Sequence, residues 1–319
     1  MRRIRTLAIV SIVALAAGCT PGPAPVTMPG AVARRPVARS VRVQVHEGGT
    51  LLVRQVPLEE YVEATVLSEV SPDPSDERAA ERMFEVQAII ARTYAVANVG
   101  RHQKDGFDLC STTHCQLYEP GRLRTSRWAA LAHEAVQKTA GELLWFGAAP
   151  ANALFHADCG GHTSAASAVW GGPGASYLVG ETDALPAHHL TWTFDTRAAV
   201  LRDALNEDQR TAVGARLDRV EISGRDAAGR AEMITLHGTR TFLVRGEVFR
   251  EVVTRMLGAK SIRSTLFSVT RTGDRFAFSG KGYGHGVGLC QAGALARLKA
   301  GESVTAVLEH YFPGTTLRR

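Results

Sequence analysis

Glycine occupies every second position from 280 to 288 in the segment SGKGYGHGVGLCQAGA, residues 279–294. In a strand, successive side chains point to opposite faces, so this pattern would leave one face bare. Lys281, Tyr283 and His285 would stand on the other face. Glycine weakens a strand interior unless something approaches the backbone closely. The segment therefore predicts a strand whose bare face contacts another chain segment or a polymeric ligand.

Nucleotide-binding motifs do not explain these glycines. Counted from Gly280 or Gly284, the last glycine of a dinucleotide fingerprint would fall on His285 or Leu289. A phosphate-binding loop of the form GxxxxGK[ST] is also missing from the sequence. The glycine pattern is therefore interpreted as a surface for close approach.

The N-terminus, MRRIRTLAIVSIVALAAGC, has the layout of a secretory signal. Three arginines precede an apolar run at residues 7–17, which is too short to span a bilayer. Residues 16–19 resemble the cleavage box of bacterial lipoproteins. We therefore expect a signal peptide at 1–18 and a lipid anchor on Cys19, with simple secretion and a free thiol as the alternative.

Residues 19–40 are rich in proline and have no hydrophobic period, which is typical of an extended tether. The folded domain is then expected at 41–319. These features predict a lipid-anchored exported lipoprotein of the cell envelope, on the periplasmic side of the outer membrane in a Gram-negative organism. The membrane contact would be made through the lipidated Cys19.

The charge balance excludes a typical nucleic-acid-binding protein. Cleavage of the signal removes Arg2, Arg3 and Arg5, so that the formal net charge falls from +6 for the whole chain, with 37 basic and 31 acidic residues, to +3. Such a charge provides no basic footprint for phosphate contacts. About 280 residues remain after the tether, enough for one large domain with a sizeable core.

The order of predicted elements is irregular. Residues 41–58 alternate apolar and polar side chains around a Gly-Gly turn and predict a β-hairpin. Helical periodicity predicts helices at 58–69, 76–99, 125–139, 196–212, 246–257 and 290–300, the second opened by Ser75 or Asp76 as N-cap. Strand patterns occur at 141–146, 153–161, 217–223, 231–236 and 266–270. This order predicts an α+β fold, a single large domain of mixed helices and mainly antiparallel strands.

Glu69 is the first candidate for chemistry. On a helical wheel it falls within about 20° of Leu58, beside Val62, whereas the other three glutamates of this helix lie about 100 to 200° away. Desolvation on the apolar side raises the pKa of a carboxyl group, as a general acid working near neutral pH requires. Alternatively, Glu69 caps the chain after the helix or pairs with an arginine.

Arg92 lies at the border of the apolar stripe of the following helix. It either reaches into a cleft or extends its stem along the surface with its charge in water.

Cys110 and Cys115 lie in a polar loop with two histidines, His102 and His114, all within residues 102–115. Two sulfurs and an imidazole are suitable tetrahedral zinc ligands, and the loop has little hydrophobic support of its own. In an exported protein a Cys110–Cys115 disulfide is an equal alternative.

Five segments in this order resemble the SpoIID/LytB family of bacterial cell-wall proteins: PLEEYVEATVLSEV, QAIIARTYAV, FDLCSTTHCQLY, FHADCGGHTSAASAVWGG and GKGYGHGVGLCQAGA. The resemblance covers residues 41–319. In that family the sporulation member is a lytic transglycosylase acting on peptidoglycan glycan strands, and another branch is described as an enhancer of a wall amidase. The resemblance implies that the α+β domain surrounds a glycan-binding cleft.

Residue roles follow from the same resemblance. It implies that Glu69 is the catalytic acid and that Arg92, Tyr283, His285 and Gln291 belong to the glycan cleft. Some members bind zinc through one histidine and two cysteines. This implies a structural zinc ion held by His102, Cys110 and Cys115, with His114 as the substitute ligand.

Two departures from the sporulation members each add a thiol. Cys290 stands where those members typically carry serine, and Cys159 lies in a Gly-Gly turn that usually lacks a cysteine. The simplest joint explanation is a Cys159–Cys290 disulfide that ties the glycine segment to the turn.

The resemblance implies cleavage of the bond between N-acetylmuramic acid and N-acetylglucosamine with a 1,6-anhydro product. One carboxyl group suffices: Glu69 protonates the glycosidic oxygen, and the sugar's own 6-hydroxyl attacks the oxocarbenium-like centre. The alternative is a non-catalytic protein that presents glycan strands to a cell-wall amidase. A zinc hydrolase is disfavoured because HEAVQ, residues 133–137, lacks the second histidine of a zincin helix.

Overall fold

The computed structural model describes residues 38–73, 75–185 and 188–319. The predicted signal peptide at 1–18, the lipidation site Cys19 and nearly all of the tether lie outside the described residues. None of the helices that the structure describes is long and apolar enough to cross a membrane.

Helices and strands are mixed along the described chain. The helices are α1 (Leu58–Glu69), α2 (Glu77–Ala97), α3 (Arg122–Thr125), α4 (Ala129–Lys138), α5 (Ala166–Trp170), α6 (Ala198–Asn206), α7 (Gly246–Leu257), α8 (Gln291–Lys299) and α9 (Val304–Tyr311), with a 3₁₀ turn at Gln103–Asp105. The strands are β1 (Ser40–Glu47), β2 (Thr50–Pro57), β3 (Leu109–Cys110), β4 (Leu143–Phe146), β5 (Ala149–Pro150), β6 (Phe155–His156), β7 (Thr191–Arg197), β8 (Leu217–Arg225), β9 (Ala231–Gly238), β10 (Thr241–Arg245), β11 (Phe267–Thr272), β12 (Arg275–Lys281), β13 (Leu289–Cys290) and β14 (Thr316–Arg318).

The strands form several small sheets. Their orders are β2-β1-β3, β10-β9-β8, β11-β12-β7, β13-β6 and β14-β4-β5. Only the β1–β3 and β13–β6 pairs among these sheets are parallel. The prediction of an α+β fold with mainly antiparallel strands is confirmed.

The first two helices begin where local sequence signals place them. Pro57, with φ −54°, directly precedes α1, and Glu59 and Glu60 lie in its first turn, where carboxylates favour the helix dipole. In α2, the Asp76 carboxylate accepts a hydrogen bond from the Ala79 N–H at 3.0 Å and caps the helix. The predicted boundaries of α1 and the N-cap of α2 are confirmed.

Helix α2 is shared between two hydrophobic cores, which explains why most of its surface is buried. Phe84 and Tyr94 pack into a first core with α1, α4 and β1. Met83, Ile89 and Ile90 pack into a second core with β4, α8 and α9. Helix α2 therefore joins the core that contains α1 to the core that contains α8 and α9.

A third core lies among β7 to β12, α6 and α7. Its centre contains Phe249, Phe267 and Phe278, whose ring centroids lie 5.6 to 6.1 Å apart. The helix predicted at 196–212 is wrong at both ends. Residues 191–197 form β7, which pairs with β12, and only Ala198–Asn206 of the predicted 196–212 helix is helical.

The glycine segment is not the predicted strand. Strand β12 ends at Lys281, and the next four alternate glycines have positive φ: Gly282 (+79°), Gly284 (+105°), Gly286 (+83°) and Gly288 (+68°). Left-handed backbone strongly favours glycine, so the alternation satisfies backbone geometry rather than leaving one face of a strand bare. The expected close approach is nevertheless present, because a Cβ on Gly288 would lie 2.2 Å from the Leu154 carbonyl oxygen.

Candidate functional site

Glu69 is the last residue of α1, where the helix gives way to extended chain at Val70. Its side chain is partly buried, and its Oε1 accepts a hydrogen bond from the Leu117 N–H at 2.6 Å. Burial raises the pKa of Glu69 to about 7, although the Leu117 N–H acts in the opposite direction. At neutral pH this carboxyl group therefore exchanges a proton readily, as a general acid must.

The other glutamates of α1 have different surroundings. Glu59 forms an ion pair with Arg92, and Glu60 is exposed. The Glu63 carboxylate lies 3.0 Å from the ring nitrogen Nδ1 of His133. The separation that the helical wheel predicted is thus present in the fold. Within α1, Glu69 is the acid whose environment shifts its proton affinity into the neutral range.

Gln291, the first residue of α8, is brought to Glu69 by the fold. Its Nε2 lies 3.5 Å from the Glu69 carbonyl oxygen and donates to Gln87 Oε1 at 3.2 Å. Gln87 belongs to α2 and is fully buried. Sequence reasoning missed Gln87, although an amide inside the buried stripe of a helix is a detectable signal, since buried polar groups need partners.

The predicted metal loop also assembles. Ligand atoms of His102, Cys110, His114 and Cys115 all lie within 4.8 Å of one another. His102 Nε2 is 3.3 Å from Cys115 Sγ, and His114 Nδ1 is 3.7 Å from Cys110 Sγ. Both cysteines are free thiols. The alternative Cys110–Cys115 disulfide is therefore absent, and both histidines complete a Cys₂His₂ donor set that fits tetrahedral zinc.

The two thiols of this loop are close neighbours, and their pKa values shift in opposite directions. The neighbouring Cys115 thiol and the Thr112 hydroxyl lower the pKa of the Cys110 thiol to about 4, and the proximity of Cys110 raises the pKa of Cys115. Metals bind thiolates, so one ligand is available in its binding form at neutral pH.

The metal loop and the acid are directly connected. Cys115 is followed by Gln116, whose buried Oε1 accepts from the Tyr61 hydroxyl of α1 at 3.1 Å. Leu117 then donates its N–H to Glu69. A metal ion that holds Cys115 would therefore also hold the donor that orients the Glu69 carboxylate.

The structure places Arg92 outside this site. Its guanidinium is fully buried and donates to Glu59 and to the carbonyl oxygens of Ala88, Val136 and Glu142. Glu59 and Glu69 are separated by about 15 Å along α1. The assignment of Arg92 to the glycan cleft is corrected: it joins α1, α2 and α4, because a buried guanidinium needs all its donors paired.

His285 lies in a second cluster, and Tyr283, two residues earlier, pairs its backbone with Asp158. The His285 ring is 5.5 Å from His156 and 5.2 Å from Trp170, centroid to centroid, and Tyr283 is 38% exposed. Burial lowers the pKa of His285 to about 4 and that of His156 well below its usual value. Within the described part of the chain, no hydrogen bond or ring contact joins Tyr283 or His285 to Glu69.

The predicted Cys159–Cys290 disulfide is absent from the described structure. Both residues are buried free thiols. Cys290 Sγ accepts from the Cys159 N–H at 3.2 Å, whereas Cys159 Sγ is directed to the Asp183 carboxylate at 3.6 Å. The physical reason is that each sulfur has its own polar partners in the fold.

Two family matches divide the chain. Residues 46–146, which contain Glu69 and the metal loop, match the SpoIID family, described as "Stage II sporulation protein". Residues 178–288 match DUF8618, a domain of unknown function.

Curated relatives are similar over most of the chain. An amidase enhancer of Bacillus subtilis (strain 168) is 27% identical over 277 residues, which cover 73% of this chain and 37% of the relative. Stage II sporulation protein D of Bacillus amyloliquefaciens is 27% identical over 295 residues, covering 87% of this chain and 78% of the relative. The chain therefore spans little more than a third of the length of that amidase enhancer.

Proposed function

The chain belongs to the SpoIID family, and from this premise we propose that it is a peptidoglycan lytic transglycosylase with Glu69 as its general acid and base. One observation carries the proposal: a single partly buried carboxyl group with a pKa of about 7 stands at the end of α1. Proton donation to a glycosidic oxygen requires such a group near neutral pH.

The hydrogen bonds of Glu69 suit this role. The Leu117 N–H holds Oε1, so that Oε2 remains available for the glycosidic oxygen between N-acetylmuramic acid and N-acetylglucosamine. After protonation, the bond breaks toward an oxocarbenium-like centre. The carboxylate then accepts the proton of the sugar's 6-hydroxyl as that oxygen attacks, which closes the 1,6-anhydro ring and needs no second carboxylate.

The surrounding residues position the acid. Gln291 contacts the Glu69 main chain and is itself held by Gln87. The fit of His102, Cys110, His114 and Cys115 to zinc supports a structural ion in the loop. When bound there, zinc would supply a cross-link for the loop that carries the Leu117 donor.

A second candidate function rests on the relative named "Amidase enhancer". In this alternative the same site binds glycan strands without cleaving them and presents them to a cell-wall amidase. Both functions require glycan binding, but only the transglycosylase forms a cleaved product. The two can therefore be distinguished by product analysis.

The test is incubation of the purified protein with peptide-free glycan strands, followed by mass analysis. We expect 1,6-anhydro-muramyl ends to accumulate with the parent protein and to be strongly reduced with Glu69→Gln. Strands that are bound but recovered at their original mass would support the non-catalytic alternative and contradict the transglycosylase.

A further inference from the structure

Three side chains of ligand type meet inside the second core, away from the metal loop. They are Cys159 in the turn after β6, Asp183 in the loop before β7, and Cys290 at the end of β13, directly before α8. Their two sulfurs and a carboxylate oxygen lie within 4.8 Å of one another, and none of the three residues is more than 1% exposed. Neither the proposed reaction nor the predicted zinc loop uses this cluster.

Both sulfurs accept backbone N–H bonds. The Cys159 N–H and the Gly293 N–H donate to Cys290 Sγ at 3.2 and 3.3 Å, and the Gly161 N–H donates to Cys159 Sγ at 3.3 Å. N–H donors directed at sulfur stabilise thiolate ligands in metal centres, where such outer contacts orient the ligand. The backbone therefore already provides the surroundings that bound thiolates need.

The carboxylate is oriented in the same manner. Asp183 Oδ2 accepts from the Tyr311 hydroxyl at 2.5 Å, and Oδ1 lies 3.4 Å from an Arg297 nitrogen. Ligating carboxylates are commonly fixed by hydrogen bonds of this kind. Asp183 Oδ2 also accepts a hydrogen bond from the Cys159 thiol, at 3.6 Å.

We propose that Cys159, Cys290 and Asp183 form a second metal site, buried and structural, for a divalent cation of the zinc type. Two thiolates and a carboxylate suit zinc. Two thiolates and Asp183 would carry three negative charges, of which a divalent ion would offset two. The Arg297 guanidinium, which also pairs with Glu302, lies next to Asp183.

The site would join three segments that are distant in sequence. Cys290 immediately precedes Gln291, so an ion here fixes the start of α8, and with it the amide that contacts Glu69. It would also explain two thiols that the family resemblance does not account for. The inference concerns metal content and holds whether or not the chain cleaves glycan.

The experiment is metal analysis of the full-length protein purified without chelator and then exchanged into Co²⁺. We expect about two metal equivalents in the parent, with about one lost in Cys110→Ser and about one lost in Cys159→Ser. In a Cys110→Ser/Cys115→Ser variant, sulfur-to-cobalt absorption should persist, and adding Asp183→Asn should weaken it while Tyr311 keeps a partner. Circular dichroism melts check that the variants remain folded.

The parent protein alone can overturn the proposal. Alkylation of denatured, unreduced protein in the presence of EDTA, followed by peptide mass analysis, reports the state of Cys159 and Cys290. A disulfide between them contradicts the site, and so does a metal content that Cys159→Ser leaves unchanged. Two equivalents with both thiols alkylated after chelation support it.

Discussion

Burial affects titratable groups at Glu69 and in the cluster around His285 in the same physical way, with opposite consequences. At the end of α1, it disfavours the charged carboxylate and raises the pKa of Glu69 to about 7. Around His156 and His285, it disfavours the charged imidazolium and lowers the pKa of His285 to about 4. The first region therefore holds a proton that it can donate at neutral pH, whereas the second is neutral and suited to packing and hydrogen bonding.

The largest effect is expected from substituting Glu69, which tests whether this residue is the catalytic acid. Glu69→Gln preserves size and removes the titrating proton, so we expect anhydro-product formation to fall by roughly 100-fold or more while glycan binding survives. Glu60→Gln, an exposed glutamate of the same helix, is the matched control and should retain activity. Unchanged turnover in Glu69→Gln would remove Glu69 from the mechanism.

Loss of the metal loop should have the next largest effect. In Cys115→Ser, or after chelation, the Leu117 N–H is no longer held against Glu69, and we expect activity to fall roughly 10- to 100-fold. Hydrogen exchange of the Leu117 amide, measured directly, should become faster. Thr113→Ala, an exposed change in the same loop, should alter neither. If the Leu117 amide is equally protected in the metal-free protein, the metal loop does not position the donor to Glu69.

The glycine segment offers a test of the second region by stability. Gly284 has φ +105°, and a Cβ there would lie 2.8 Å from His156 Cβ, whereas Gly273, φ +60°, has open space around it. The positive φ at both positions disfavours alanine, but only Gly284→Ala also adds a steric clash. We expect its free energy of unfolding to drop about 2 kcal/mol further than that of Gly273→Ala. Equal denaturation midpoints would show that His156 does not pack against this glycine.

The pH dependence sharpens the contrast between the two regions. A general acid acts in its protonated form, so kcat/KM should fall about tenfold per pH unit above a pH of about 7. His285 does not titrate in that range, so His285→Gln should leave the position of this limb unchanged, whatever it does to binding. If this limb moves or disappears in His285→Gln, the titrating group belongs to the His285 cluster and not to Glu69.

The smallest expected effect is on the pH dependence of the free energy of unfolding. The folded pKa of Glu69 lies above its value in the unfolded chain, 4.5, so the folded state binds more protons between these pH values. The contribution of Glu69 to stability therefore falls as pH rises from about 4.5 to about 7 and stays lower above it. Glu69→Gln lacks this loss and should be more stable by about 1 kcal/mol at pH 8, with no gain at pH 4. Identical pH–stability curves for the two proteins would argue against a raised pKa.

Several local features were predictable from sequence alone. The hairpin, α1 with its boundaries, the N-cap at Asp76 and α7 follow from side-chain period and capping, which act over a few residues. The separation of Glu69 from its acidic neighbours also follows from helical period, because it depends only on 100° per residue. Residues 102–115 are close in sequence, so their assembly as a ligand cluster was also foreseeable.

Only the tertiary structure decided the remaining features, since each depends on contacts between distant residues. Leu117, which orients Glu69, and Gln87, which holds Gln291, are brought to the site by the packing of α1, α2 and α8. The same packing buries Arg92 against Glu59, although its position on the helix permitted a place in a cleft. The glycine alternation fits either a bare strand or a series of left-handed residues, because composition specifies which φ angles are allowed and the neighbouring chain selects among them.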